Sequence, residues 1–294
     1  MTTRFPTAPL ADREVARIGY GAMQLTHGGH VTPEAALAVL RRVADAGVEH
    51  VDTAWFYGAG TCNALIREAF TPYPENLVVA TKLGADNSAA GGLVAAQRPE
   101  QLREQVETNL VSLGLDRLPV AYLRRMDFAP GLIAEGEQKV DIDDQLEELA
   151  KLRDEGKIES IGLSNVDADQ LRQALPAGIA CVQNAYNVLD RATEPVLEVC
   201  REAGVAWVPY IPLGSAFAGM RKVADDATVR AVAAELGVTA SQVGLAWLLA
   251  HYERTLLIPG TADAGHLAEN LAAAQIDLGA EHKARLDALA GQPG

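Results

Sequence analysis

The chain is short of basic residues. Of 294 residues, 25 are Lys or Arg and 39 are Asp or Glu, for a net charge of −14. Phosphate-binding surfaces need clustered cations, so this balance argues against nucleic acid as the main partner and against a polybasic membrane anchor. Cysteine is scarce. Cys62, Cys181 and Cys200 are an odd number with no metal-ligand spacing, and read as small reduced core residues of a cytoplasmic protein with no metal site. No apolar run approaches the roughly 18 residues of a membrane-spanning helix, so no membrane partner is expected. The first residues carry Arg4, Asp12, Arg13 and Glu14 and lack the apolar stretch of a secretion signal. No copied repeat, linker or low-complexity tract is found, and no G-x-G-x-x-G opens a strand–helix unit.

What is present is a globular profile, 49% hydrophobic and 22% charged. Short β-branched runs alternate with longer stretches of helical period. Candidate strands lie at 15–20, 48–53, 77–82, 119–124, 158–163, 180–184, 205–210 and 255–259. Helices are expected at Thr32–Ala46, Pro99–Leu113, Asp143–Glu155 and Pro195–Ala203, and across 226–252 as two pieces broken at Gly237. The last begins in 263–275. The first opens Thr-Pro-Glu and stops at Gly47, with Leu37, Leu40 and Ala44 on one face. Loops are expected at 84–97 and 127–139, and 212–225 has no clear period. Strands joined by single helices form a parallel sheet with right-handed crossovers. Eight such units fit a (β/α)8 barrel, expected as a single domain over 1–294; a doubly wound open sheet is the alternative.

Barrel chemistry collects at the C-terminal ends of the strands. Asp52 ends the second strand and Tyr57 follows. Lys82 ends the third strand and Arg124 the fourth. Ser164 and Asn165 follow the fifth, Gln183 ends the sixth and Tyr210 the seventh. Asp52, Lys82 and Tyr57 fit a proton-donor unit, in which the ammonium lowers the pKa of the phenol and the carboxylate holds the ammonium. The same spacing also fits a structural Asp–Lys pair with Tyr57 as a surface aromatic.

The string Asp52-Thr53-Ala54-Trp55-Phe56-Tyr57-Gly58 resembles the D-T-A-x-x-Y-G signature of aldo-keto reductases. Further resemblances follow in order: Gly19 to Met23, Ala80-Thr81-Lys82, Ile161 to Asn165, Gln183-Asn184 with Tyr186-Asn187, Tyr210 to Gly214, and Ile258 to Thr261 with His266 and Asn270. The resemblance implies NAD(P)H-dependent reduction of an aldehyde or ketone. It implies Tyr57 as the acid, Lys82 and Asp52 behind it, and Ser164, Asn165 and Gln183 on the nicotinamide carboxamide. Tyr210 would stack on the nicotinamide, where core packing is the other reading. Backbone N–H groups of Leu213, Gly214 and Ser215 would meet the pyrophosphate. Gly260, Thr261, His266 and Asn270 would hold the adenosine end. Many relatives carry Lys and Arg at that end. With Gly260 and His266 here, NADPH is the expected cofactor and NADH the alternative, and His266 also fits a solvated helix position. Met23, Gln24, Trp55 and Phe56 lie where a substrate wall would be, or else pack the barrel rim.

The fourth strand departs from the family. Most members end it with a histidine that polarises the carbonyl. Here the segment runs Ala121-Tyr122-Leu123-Arg124-Arg125-Met126-Asp127, and alignment on Asp127 puts Arg124 in the histidine's place. A Leu-Arg here resembles a smaller branch that contains bacterial pyridoxal reductases. A fixed cation beside the carbonyl would bind the ionised phenolic oxygen of pyridoxal and polarise the aldehyde. Alternatively Arg124 turns away to pair with Asp127 or Glu159 and leaves a non-redox site. Two other functions stay open on the sequence: a sensor of the nicotinamide state, and a tailoring enzyme that dehydrates or isomerises without net redox turnover. The sequence does not reveal the oligomeric state.

Overall fold

The computed structural model describes residues 6–128, 131–214 and 220–290. It begins with an antiparallel hairpin, β1 (Thr7–Leu10) against β2 (Arg13–Ala16). The run expected as one strand at 15–20 is therefore split. Its first half closes this hairpin, and its second half supplies β3 (Tyr20–Gly21).

From β3 the chain alternates as expected. There follow α1 (Pro33–Asp45), β4 (His50–Asp52), α2 (Thr61–Phe70) and β5 (Val78–Leu83). A second hairpin, β6 (Ala85–Asn87) with β7 (Leu93–Ala95), stands where the sequence suggested a loop. Next come α3 (Pro99–Leu113), β8 (Leu118–Arg124), α4 (Ile142–Asp154), β9 (Ile158–Ser164), α5 (Ala168–Ala174), β10 (Ile179–Gln183), α6 (Glu194–Ala203) and β11 (Ala206–Trp207). The chain closes with α7 (Ala227–Leu236), α8 (Ala240–His251), α9 (Ala264–Ala272) and α10 (Ala280–Asp287).

Strands β3, β4, β5, β8, β9, β10 and β11 form one parallel sheet in sequence order. The segment 255–258 closes it. Thr255 bridges Trp207 on one side, and Leu257 bridges Ile18 on the other. Backbone bonds Leu256 N–H to Trp207 (2.8 Å) and Gly19 N–H to Leu257 (2.7 Å) complete the seam. The result is a (β/α)8 barrel.

Alternate residues of a strand face opposite sides, and this period sorts the core in two. Val51, Val79, Ala121, Leu123, Ile161, Leu163, Val182 and Leu257 face the helices. Val78, Ala80, Val120, Tyr122, Cys181, Ala206, Val208 and Leu256 fill the barrel interior. Ala8, Leu10 and Val15 of the hairpin join that interior cluster and close the barrel floor. All three cysteines are free and buried.

Helix ends follow their sequence signals. Thr32 caps α1 by accepting the Ala35 N–H at 3.3 Å. Its buried face is Ala36, Val39, Leu40 and Val43, with Leu37 and Ala44 at the flank, so the face is rotated slightly from the one expected. Among the described residues no single helix is long and apolar enough to cross a membrane. The pair α7 and α8 reaches that length but is bent by 92° at its break.

Candidate active site

The inward register carries the functional side chains upward. Asp52, Arg124, Ser164 and Gln183 each close a strand on the interior-facing period, and Lys82 lies on that period one residue before its strand ends. Asp52, Lys82, Arg124, Gln183 and Tyr210 line a cavity of about 600 Å³ at the mouth of the barrel, with Met23, Gln24, Phe56 and Tyr57.

Lys82 is the centre of the deepest group. Its buried ammonium donates to Asp52 Oδ1, and to the Thr53 carbonyl at 3.0 Å. Gln183 Nε2 donates to the other Asp52 oxygen at 2.8 Å. Burial alone would lower the pKa of Lys82, but Asp52 and Tyr57 outweigh it and the net direction is up, so Lys82 stays charged. The Lys82 Nζ lies 5.0 Å from the centre of the Tyr57 ring. Phe56 meets that ring edge-on at 5.2 Å and fixes its plane.

The pKa of Tyr57 moves opposite to the sequence expectation. Burial pushes it up, and the opposing pull of Lys82 and Arg124 does not cancel that rise. The phenol therefore stays protonated through the neutral range.

Arg124 reaches the cavity wall, with its guanidinium carbon 5.7 Å from the Tyr210 ring centre. The acids offered to it in the alternative reading are engaged elsewhere. Asp127 is held by Arg125 at 2.8 and 2.9 Å, and Glu159 by Arg13 at 2.6 Å. Among the described residues no carboxylate pairs with Arg124.

The opposite wall fits a nicotinamide dinucleotide. Ser164 Oγ and Gln183 Oε1 are buried and lack a hydrogen-bond partner among the described residues, although such groups are nearly always paired. A carboxamide supplies both the donors and the acceptor they need. Asn165, at φ 57°, spends its amide N–H groups on the carbonyls of Arg125 (3.1 Å) and Phe128 (3.2 Å), and its oxygen accepts from the Tyr210 hydroxyl at 3.4 Å. The cavity runs on past Leu213 and Gly214 to Gly260. A Cβ on Gly260 would stand 2.7 Å from the Gly21 carbonyl oxygen, so only glycine permits that groove. Ser215 lies outside the described residues.

The adenosine-end residues are less gathered. The carbonyl of Thr261 accepts from the Tyr20 hydroxyl at 2.6 Å, and its hydroxyl accepts the Asp263 N–H at 3.0 Å. Asn270 is buried on α9. The His266 side chain is 70% exposed and lies 3.9 Å from Asp263, outside the cavity lining. Trp55 is also separate: its ring lies over Gly60 and lines a shallow outer groove with Arg67 and Ser112.

Sequence reasoning missed Asn87 and Leu93, which line the cavity from the β6–β7 hairpin. The available signal was a pair of short runs, Ala85-Asp86-Asn87 and Leu93-Val94-Ala95, flanking Gly91-Gly92.

Comparison with known proteins gives a consistent picture. The sequence pattern of the Aldo/keto reductase family matches residues 17–290. The chain is 40% identical over 288 residues to pyridoxine 4-dehydrogenase of Escherichia coli (strain K12), covering 96% of this chain and 98% of that protein. It is 35% identical over 289 residues to an uncharacterized oxidoreductase of Schizosaccharomyces pombe, covering 96% and 89%. A thermostable aldo-keto reductase solved with the inhibitor epalrestat superposes with a TM-score of 0.80 at 27% identity, over 96% of this chain and 99% of that one. With the lined cavity, the buried Lys–Asp pair and these matches in place, the chain belongs to the aldo/keto reductase family and is an NAD(P)H-dependent oxidoreductase on a (β/α)8 barrel.

Proposed function

We propose that the protein reduces pyridoxal, or an aromatic aldehyde of the same pattern, to the alcohol with NADPH, acting as one barrel unit over residues 1–294. The observation that carries this is Arg124: a permanent cation on the wall of the carbonyl pocket, free of any acid partner among the described residues. Pyridoxal has a readily ionised phenolic oxygen beside its aldehyde. A guanidinium fork can hold that oxygen and draw charge from the carbonyl at the same time. The 40% identity to a pyridoxine 4-dehydrogenase supports the reading, since that name describes the same couple in the opposite direction.

The nicotinamide, when bound, supplies the hydride to the carbonyl carbon. Ser164, Gln183 and, through the remaining lone pair of its oxygen, Asn165 would hold its carboxamide, and Tyr210 would lie along the ring. Leu213 and Gly214 would meet the pyrophosphate, and Gly260, Thr261, Asn270 and the exposed His266 would meet the adenosine end. Tyr57 gives its phenolic proton to the carbonyl oxygen as charge develops there. Lys82, kept charged by Asp52, stabilises the phenolate that remains. Met23, Gln24 and Phe56 wall the aldehyde; Trp55 borders the site from outside.

The test follows nicotinamide absorbance with pyridoxal and either NADPH or NADH. Rapid pyridoxal-dependent oxidation, faster with NADPH, is expected. Tight cofactor binding without turnover on pyridoxal would overturn the proposal. So would an Arg124→His variant that reduces pyridoxal as well as the parent.

A further inference from the structure

The hairpin β6–β7 forms a wall of the cavity that the chemistry above leaves without a role. Asn87 and Leu93 are cross-strand partners, and both line the cavity. Two residues back on the same face, Ala85 and Ala95 pack against Phe56, Tyr57 and Met126. The hairpin root is tied down. Gln97 donates one amide group to the carbonyls of Gly84 (2.6 Å) and Arg124 (2.8 Å), which binds the start of β6 to the end of β8. Gly84 sits at φ 97°, where a Cβ would meet the Arg124 carbonyl oxygen at 2.5 Å. Asp86 Oδ1 accepts the Asn87 N–H at 2.7 Å. Asn87 is thus held on a short strand fixed to both the Tyr57 shelf and the Arg124 strand.

Its side chain is not satisfied there. The Asn87 Nδ2 is enclosed and has no hydrogen-bond partner among the described residues. An enclosed amide donor is unfavourable until an acceptor arrives. No described residue supplies an acceptor, and the cavity that Asn87 lines is the space where one can enter.

We propose that Asn87 is a specificity-determining residue. It donates to a second oxygen or ring nitrogen on the substrate, beyond the carbonyl and beyond the oxygen met by Arg124. The substrate class is then an aromatic aldehyde that carries both an ionisable hydroxyl and a further neutral acceptor. This rests on reading the cavity as the carbonyl pocket. A simple aldehyde fits the chemistry but leaves the Asn87 amide unpaired.

The experiment compares benzaldehyde, 2-hydroxybenzaldehyde, 2-(hydroxymethyl)benzaldehyde and pyridoxal, with NADPH, in the parent, Asn87→Ala and Asn87→Leu. Leu keeps the side-chain volume and removes the donor. Both variants should raise KM about tenfold for pyridoxal and 2-(hydroxymethyl)benzaldehyde, with kcat within about twofold and the other two aldehydes within about twofold. An equal effect on all four aldehydes, or a loss in Asn87→Ala that Asn87→Leu restores, makes Asn87 a packing residue and overturns the proposal. If the parent leaves pyridoxal unreduced, the pyridoxal reading falls, while the benzaldehyde pair still decides Asn87. If the parent reduces none of the four, both fall.

Discussion

Arg125 grips Asp127 through two parallel hydrogen bonds of 2.8 and 2.9 Å, and thereby keeps that carboxylate from Arg124 one residue earlier. Arg125 is buried and also reaches Gln145 and the Val140 carbonyl, so it is held firmly. Arg125→Gln should release Asp127 toward Arg124 and lower kcat/KM for pyridoxal at least about tenfold. Adding Asp127→Asn should recover most of that loss. Equal activity in the single and double variants would show that the fork does not protect Arg124.

Lys82→Met leaves Asp52 buried beside an apolar chain. Breaking a buried pair on one side costs about 3–5 kcal/mol, more than removing both partners. The double variant Asp52→Asn/Lys82→Met should therefore unfold at higher urea than Lys82→Met alone. Both should lose reductase turnover by at least about a hundredfold. Equal midpoints would mean that Gln183 alone satisfies the carboxylate.

Tyr57 sets the pH profile. Its pKa lies above the ordinary value of about 10, raised by burial against the pull of Lys82 and Arg124. Reduction needs the protonated phenol, so kcat should stay flat from neutral pH to about 9 and fall only above 10. Alcohol oxidation needs the phenolate and should climb with pH over the same range. Arg124→Leu removes one downward pull and should move both limbs to higher pH. A reduction limb near pH 7 would assign the proton to another group.

His50 governs acid stability. It lies in the barrel interior two residues before Asp52, fully enclosed, and neither ring nitrogen has a partner among the described residues. Burial pushes its pKa down to about 4. Between about 6.5 and 4 the unfolded chain takes up a proton that the folded chain refuses, so stability falls with pH across that window by about 3 kcal/mol. Above it the effect is absent, and below pH 4 it levels off. His50→Leu should flatten the fall in Tm between pH 7 and pH 5. Parallel Tm curves for parent and variant would rule the histidine out.

The barrel was legible because its signals are local. β-branched runs marked strands, and Thr32-Pro33-Glu34, Gly114 and Gly237 marked helix ends. The helix α2 was not legible: it starts at left-handed Gly60 with no side-chain cap. The hairpin at Ala85–Ala95 carried only a faint signal, two short runs flanking Gly91-Gly92. Its strands are short and rich in alanine, and the bonds that fix it come from Gln97 and, behind that, Gln145. The charges around Tyr57 could be read from the sequence, but its burial could not, so the expected pKa direction reversed. Trp55 went astray because it follows a strand end, where no period says which way a side chain turns.

The hairpin closes the barrel floor, so among the described residues the cavity that Arg124 and Tyr57 line opens at the other end. Ser164 and Gln183 are fully buried, while Arg124 is partly exposed. If Ser164 and Gln183 hold the carboxamide as proposed, the dinucleotide should board first and leave last, which product-inhibition kinetics would check. On that order spent cofactor does not depart beneath a waiting alcohol, and the steady-state rate becomes hostage to how quickly the last passenger clears the mouth.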